Sequence, residues 1–201
     1  MKRPWAVAAV FGICVAVLTF GAAEASVAVK TKMTTYTISG KTGEALLDAM
    51  DRRGPKHGFL TRAIAQTAYK VSWEVEWKEN AGRCRIANAA AVLSISYTYP
   101  RVSSPMSATL KRRWDRFLAG VRKHEETHGR IARQMVKAAE KSLTGLSYRN
   151  DRGCKKTQAE MERRIDAIYS TYEARQLQFD NVEHAEGGNV EGLVALLTRG
   201  K

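Results

Sequence analysis

The chain has 201 residues, with 33 Lys and Arg against 20 Asp and Glu, so its formal net charge is +13. A content of 44% hydrophobic and 26% charged residues is enough to bury a core, which excludes a wholly disordered chain. The low counts of Pro and Gly, 4 and 15, exclude collagen-like and low-complexity architectures. The length is typical of one domain, and the basic excess indicates either an anionic partner or solvated helix faces.

The first 25 residues have the pattern of a cleaved signal peptide. Lys2 and Arg3 precede an apolar run, and a small-x-small cleavage site ends at Ala25. We therefore predict a periplasmic or secreted domain over residues 26–201, with no stable membrane span after cleavage. Loss of Lys2, Arg3 and Glu24 changes the net charge by only one, to +12, so the basic excess belongs to the exported domain.

Two cysteines remain after removal of Cys14 with the signal peptide. An even pair in an exported protein predicts one disulfide, here between Cys84 and Cys154. Two free buried thiols are the alternative, and two thiol metal ligands so far apart in the sequence are a third possibility.

The first half of the mature chain has the patterns of strands. A segment rich in β-branched residues at 32–40 predicts a strand, and a short helix follows it and ends at Gly54. Strict alternation of apolar and polar residues then predicts strands at 69–77 and 93–99. The turn around Gly82 indicates that these two strands form an antiparallel pair.

The second half has helical periodicity. Apolar residues recur every three or four positions from near Ser107 to near Leu143, and again from after Cys154 to Phe179. A C-terminal tail with one apolar cluster begins at about Gly187. Strands followed by helices predict a single α+β domain, with a small antiparallel sheet followed by two long helices.

The first long helix carries an HExxH motif at residues 124–128. The spacing places His124 and His128 one turn apart on one helix face, where both imidazoles can bind one metal ion. Both histidines continue the apolar stripe of the helix, so we expect them to face the protein interior. Glu125 lies about a hundred degrees around the helix, near enough to reach a metal-bound water. The motif therefore predicts a zinc site with Glu125 as the catalytic general base.

A catalytic zinc site needs a third protein ligand. The metzincin extension is excluded, because Ile131 and Gln134 stand where Gly and His are required. A thermolysin-like arrangement would take a Glu from the second long helix, where Glu160, Glu162 and Glu173 are available. The remaining option is His184, just after that helix. Asp180 could orient a ligand imidazole from outside the ligand set.

Further features accompany the motif in a fixed order: Trp73 and Trp77 on a strand, Cys84 soon after it, Tyr99-Pro100 at the end of the next strand, and Phe179-Asp180 shortly before His184. Together with HExxH, they resemble a bacterial family of predicted secreted zinc-dependent proteases that has long been carried as a domain of unknown function. The likeness covers roughly residues 34–188. It departs from the family at Phe179, where the family has Tyr, and at Ala185, where the family has Gly. The resemblance implies His184 as the third zinc ligand.

We therefore expect an exported zinc-dependent hydrolase of zincin-like fold, a metallopeptidase acting on a peptide or protein substrate. A zinc-bound water would attack the scissile carbonyl, and Glu125 would take its proton. The alternative is a non-catalytic envelope- or anion-binding protein with a structural zinc site. No nucleic-acid partner is expected, because the chain lacks a recognised reader motif. The basic residues of the first long helix lie between its apolar positions and suit an anionic cell-envelope surface.

Overall fold

The secondary structure follows the hydrophobic periodicity of the chain. The computed structural model describes residues 27–57 and 61–199. The predicted signal peptide lies outside these residues and stays a prediction. In chain order the elements are β1 (Ala28–Ile38), α1 (Gly43–Arg53), β2 (Lys56–His57), β3 (Thr61–Arg62), β4 (Gln66–Asn80), β5 (Arg83–Val102), α2 (Ala108–Leu143), β6 (Ser147–Arg149), a 3₁₀ turn (Arg152–Cys154), α3 (Lys155–Glu183) and α4 (Asn189–Thr198). The predicted α+β class, with two long helices after a small sheet, is confirmed.

The main sheet has the strand order β1-β5-β4, and β6 pairs with the beginning of β5. β4 and β5 form the predicted antiparallel hairpin, in which Trp73 lies opposite Ala91. β1 runs parallel to β5, with Thr31 opposite Ile95. The sheet is therefore mixed rather than wholly antiparallel. Parallel pairing needs a long crossover connection, and the segment from α1 through β4 provides it.

α2 covers one face of the sheet with its apolar stripe. Ser107 caps its start by accepting a hydrogen bond from the backbone N–H of Leu110 at 3.2 Å. The buried stripe continues through Phe117 to His124, so the motif faces the interior as predicted. A Cβ at Gly129 would overlap the hydroxyl of Tyr97 on β5, so a glycine is needed for this close approach of helix and sheet. This contact fixes the depth at which the HExxH turn lies over the sheet.

α3 runs back along α2 in the antiparallel direction. Arg164, near its start, donates to the backbone carbonyl of Ser142 at the end of α2. Near the end of α3, Gln176 donates to the carbonyl of His128 at 3.2 Å. The segment after Gly187 forms α4, whose Leu193 packs against Gly120 on α2. One end of α3 therefore lies beside the HExxH turn.

The predicted disulfide joins Cys84 on β5 to Cys154 at the start of α3. Beside it, the buried carboxylate of Asp151 accepts hydrogen bonds from the backbone N–H groups of Lys156 and Thr157 at 2.8 and 2.9 Å. These bonds fix the first turn of α3 relative to the sheet. The disulfide is compatible with an oxidising compartment outside the cytosol. Among the described residues, no helix is long and apolar enough to cross a membrane.

We predict that reduction of the Cys84–Cys154 bond lowers the free energy of unfolding by about 4 kcal/mol, because it releases a loop closed across 70 positions. Urea denaturation with and without reductant measures the change. A Cys84→Ser/Cys154→Ser double variant is the control, since its stability should match the reduced protein and should not respond to reductant. Equal midpoints for oxidised and reduced wild type would contradict the prediction.

Candidate metal centre

Two imidazoles face each other on the inner side of α2. His124 and His128 are one helical turn apart, and their Nε2 atoms are separated by 3.2 Å. His124 is buried because it lies on the apolar stripe of α2, and His128 is partly buried beneath α3. The edge of one ring meets the face of the other, with centroids 4.9 Å apart. This orientation directs both Nε2 atoms toward the same point.

One face of α3 supplies polar partners to both imidazoles. Gln176, Asp180 and Glu183 follow at intervals of four and three residues, so they share the helix face that packs on α2. The Nδ1 atom of His128 lies 2.6 Å from Oε1 of Gln176, and that of His124 lies 3.4 Å from Oε2 of Glu183. Outer contacts of this kind fix the ring orientation and tautomer of metal-binding histidines.

Asp180 completes the group from α3. Its Oδ1 atom lies 2.9 Å from Nε2 of His128 and 3.3 Å from Nε2 of His124. Ligand atoms of these three residues all lie within 4.8 Å of one another. Tetrahedral zinc with bonds of about 2.0–2.1 Å requires ligand atoms about 3.3–3.4 Å apart. Two nitrogens and one carboxylate oxygen at these separations can therefore hold a zinc ion with little movement.

The cluster is also electrostatically suited to a cation. Burial lowers the pKa of each imidazole, but the hydrogen bonds to Asp180, together with the charge of Glu125, raise the pKa of both above the usual value. Burial raises the pKa of Asp180, yet the two imidazoles hold it well below its usual range. The carboxylate therefore stays ionised, and the site favours positive charge between these three side chains.

Glu125 is held beside the cluster by the sheet. Its side chain is buried, and Oε2 accepts a hydrogen bond of 2.6 Å from the hydroxyl of Thr67 on β4. The hydroxyl of Thr67 also lies 3.0 Å from the backbone carbonyl of Glu125. This contact anchors one carboxylate oxygen and leaves the other for a partner in the adjoining cleft.

The cluster opens into a cleft of about 880 Å³. Residues of β4, α2, α3 and α4 line this cleft. The lining includes both polar and apolar side chains: Thr67, Tyr69, Phe117, Val121, Glu125, Glu173, Gln176, Asp180, His184, Val190 and Leu193. Catalytic zinc sites keep such an open position, whereas structural sites are closed by four protein ligands.

The structure brings together most of the residues singled out in the sequence. His184 caps the end of α3 and lines the cleft; its ring centroid lies 5.5 Å from that of His124, outside the three-residue group. Its role as third ligand stays a prediction. Glu173 lines the cleft, whereas Glu162 lies about 27 Å along α3 from Asp180. Asp180 was expected to orient a ligand imidazole from outside the ligand set. In the structure it instead belongs to the three-residue group itself.

Three residues at the site were not identified from the sequence: Thr67, Gln176 and Glu183. Gln176 and Glu183 share the helical spacing of Asp180, and this spacing is the signal that could have identified them. Thr67 lies at the start of β4, where nothing in the local pattern distinguishes it from other strand threonines. Its position depends on the packing of β4 against α2.

Comparison with protein families places the chain in a defined group. Residues 33–188 match the family described as "Bacterial protein of unknown function (DUF922)". Because the match covers most of the chain, the protein belongs to this family. No curated protein and no solved structure matches the chain. The membership confirms the resemblance to a domain of unknown function, and zinc-dependent proteolysis is considered below.

In the metal-free protein, we predict that stability declines as the pH rises above about 6.5, the pKa of an unfolded histidine. The folded-state pKa values of His124 and His128 are raised. Their contribution to the free energy of unfolding is therefore complete below the unfolded pKa and is lost as the pH rises through the folded pKa. Urea denaturation of chelator-treated protein across pH measures this slope. Asp180→Asn removes the partner carboxylate and should flatten it, and an unchanged slope in that variant would contradict the assignment.

Proposed function

We propose that the protein is an exported zinc-dependent hydrolase, a metallopeptidase. The observation that carries the proposal is the convergence of the HExxH imidazoles with Asp180 at an open cleft, next to a buried Glu125. Two imidazoles, one carboxylate and a neighbouring general base are the parts that metal-assisted hydrolysis requires. Export is supported by the signal-like N-terminal sequence and by the disulfide.

His124, His128 and Asp180 would hold the zinc ion. When bound there, zinc would act as a Lewis acid toward a carbonyl oxygen and would lower the pKa of a coordinated water. Gln176 and Glu183 keep the two imidazoles oriented, because each contacts the ring nitrogen that faces away from the cluster. The ligand set is therefore largely arranged by the protein itself before the ion enters.

Glu125 would serve as the general base. The hydrogen bond from Thr67 occupies Oε2, so Oε1 can accept a proton from the attacking water at the cleft. Glu125 then returns the proton to the amine that leaves the peptide bond. His184 and Tyr69 line the same cleft and carry groups that can donate a hydrogen bond to the developing oxyanion. Burial raises the pKa of Tyr69, which keeps its hydroxyl protonated.

The substrate would be a peptide or protein segment with an apolar side chain near the cleaved bond. Phe117 and Val121 from α2 and Leu193 from α4 line the cleft beside the polar cluster. An apolar side chain placed there would be removed from water at a gain of about 1.5–3 kcal/mol. This wall supplies binding energy, whereas the polar cluster supplies the chemistry.

Two other functions would use the same three metal ligands. A non-catalytic protein with a structural zinc ion would need neither a general base nor a cleft, and the buried Glu125 beside an open cleft supports the catalytic alternative. Two histidines and one carboxylate also hold iron(II) in non-haem oxygenases. The Glu125–Thr67 pair favours hydrolysis over that chemistry, because it provides a positioned proton acceptor next to the ligands.

We predict that Glu125→Gln retains one equivalent of zinc and loses peptide hydrolysis by about 10²–10⁴-fold, because the amide cannot accept the water proton. Metal analysis and digestion of a peptide library by wild type and variant measure the two properties. Thr67→Val is a matched control, since it removes only the hydrogen bond to Glu125 and should reduce the rate less. Folded wild-type protein that takes up no zinc, or full activity in Glu125→Gln, would refute the proposal.

We predict that Asp180→Asn weakens zinc binding by at least about 100-fold, because a neutral amide replaces the charged oxygen closest to both imidazoles. His184→Gln, tested alongside, should retain most of the affinity. Competition with a coloured chelator measures both constants. The reverse result, with zinc lost in His184→Gln and kept in Asp180→Asn, would identify His184 as the third ligand.

A further inference from the structure

Four exposed cations lie on one sheet face at the end of the β4–β5 hairpin. Lys78 on β4 stands opposite Arg85 on β5, and Arg83 on β5 stands opposite Arg149 on β6. Residues directly opposite in neighbouring strands have Cβ atoms about 4.5–5.5 Å apart, and like charges at this distance are destabilising. We call these four residues the hairpin-end patch. Its arrangement costs folding free energy, which an anionic ligand would offset.

Carboxylates near the patch are engaged elsewhere. In the described part of the chain, no carboxylate oxygen lies within 4.0 Å of the four cations. The nearby Glu79 accepts a hydrogen bond from the backbone N–H of Gly153 at 2.9 Å. Asp151 is buried and is bound to Lys156 and Thr157. Glu79 lines the same cavity as the four cations, and one carboxylate against four cations leaves net positive charge for a ligand.

A cavity of about 900 Å³ lies against the patch, and all four cations line it. Asn80 and Asn150 line the same cavity and carry amide donors. Ala81 and Asn150 have positive φ values of 49° and 52°, in the left-handed region that favours glycine. Both are turn positions, because Ala81 and Gly82 form the two-residue connection between β4 and β5, and Asn150 follows β6. Half-buried Trp77 also lines the cavity, although it lies opposite Ile86 on the other sheet face and packs on the core there.

The patch is separate from the metal centre. Lys78 follows Thr67 by eleven residues on the same strand, which corresponds to about 36 Å. A ligand at the hairpin end would leave the cleft beside His124 and His128 open. The two sites can therefore be occupied at the same time.

We propose that the hairpin-end patch binds the phosphate groups of an anionic phospholipid surface and so holds the exported protein at the cell envelope. The cations are spread over three strands in two dimensions, which matches a planar array of phosphates better than a single linear polymer. Arg groups can each bind phosphate oxygens in pairs. Juxtaposed basic residues add attraction to anionic leaflets.

The test is sedimentation of the exported protein with phosphatidylcholine vesicles that contain one third phosphatidylglycerol. Wild type should bind these vesicles, should not bind pure phosphatidylcholine vesicles, and should be released by salt. Arg83→Gln/Arg85→Gln/Arg149→Gln should lower the apparent affinity by about 100-fold, the loss expected for three cations at a membrane surface.

A matched control removes the same charge elsewhere. Arg112→Gln/Arg116→Gln/Lys137→Gln changes exposed residues of α2 and should lower vesicle affinity by less than about threefold. Equal losses in the two triple variants would show that only net charge acts, which would overturn the proposal. Absence of vesicle binding by wild type, or binding to soluble polyphosphate without binding to vesicles, would overturn it as well.

Two further readouts keep the test independent of folding and of peptidase activity. The patch variant should unfold at the same or a higher temperature than wild type, since it removes two like-charge cross-strand pairs. If this result holds, a loss of vesicle binding by the triple variant cannot be attributed to unfolding. If the triple variant is unstable, Arg149→Gln alone replaces it, and its vesicle affinity should fall by about fivefold. Glu125→Gln should bind vesicles as wild type does, whatever its activity, so the lipid site and the proposed hydrolase can fail separately.

Discussion

The packing of α3 against α2 at the two imidazoles is the contact on which the site depends. Gln176 and Glu183 hold the outer nitrogens of His128 and His124, so the inner nitrogens face Asp180. All these partners come from the opposite helix. A slip of one residue along an α-helix moves a side chain by 1.5 Å and turns it by about 100°. The relative register of two helices therefore decides whether three ligand atoms converge or none do.

Contacts far from the imidazoles maintain this register. At the distant end of α3, the Cys84–Cys154 disulfide and the buried carboxylate of Asp151 attach the first helical turn to the sheet. At the near end, Gly129 on α2 approaches the buried Tyr97 side chain of β5 so closely that a Cβ there would overlap the tyrosine hydroxyl. The long helices act as rigid connectors between these anchors. Residues outside the His124, His128 and Asp180 group are thus part of what builds the candidate metal centre.

The difference between local sequence patterns and long-range contacts explains how much of the fold and the site could be predicted. The hairpin, α2 and the direction of its histidines follow from local periodicity, which is strong where one face is apolar. The face of α3 toward the cleft carries Gln176, Asp180 and Glu183, and a buried polar face has the same sequence pattern as a solvated one. The parallel pairing of β1 and the contact of Thr67 with Glu125 join residues distant in sequence. Tertiary packing alone determines such contacts.

The distribution of charge separates the two ends of the molecule. At the cleft, Asp180 and the ionisable Glu125 lie next to the ligand nitrogens, so a divalent cation bound there would be largely neutralised within the site. The surplus of positive charge instead lies on the outer face of α2 and at the hairpin end, about 36 Å from Thr67 along β4. Because exposed charges farther apart than about 10 Å are largely screened at physiological salt, the hairpin-end cations contribute little to the electrostatic potential in the cleft. Their electrostatic effect acts on whatever surface the hairpin end meets.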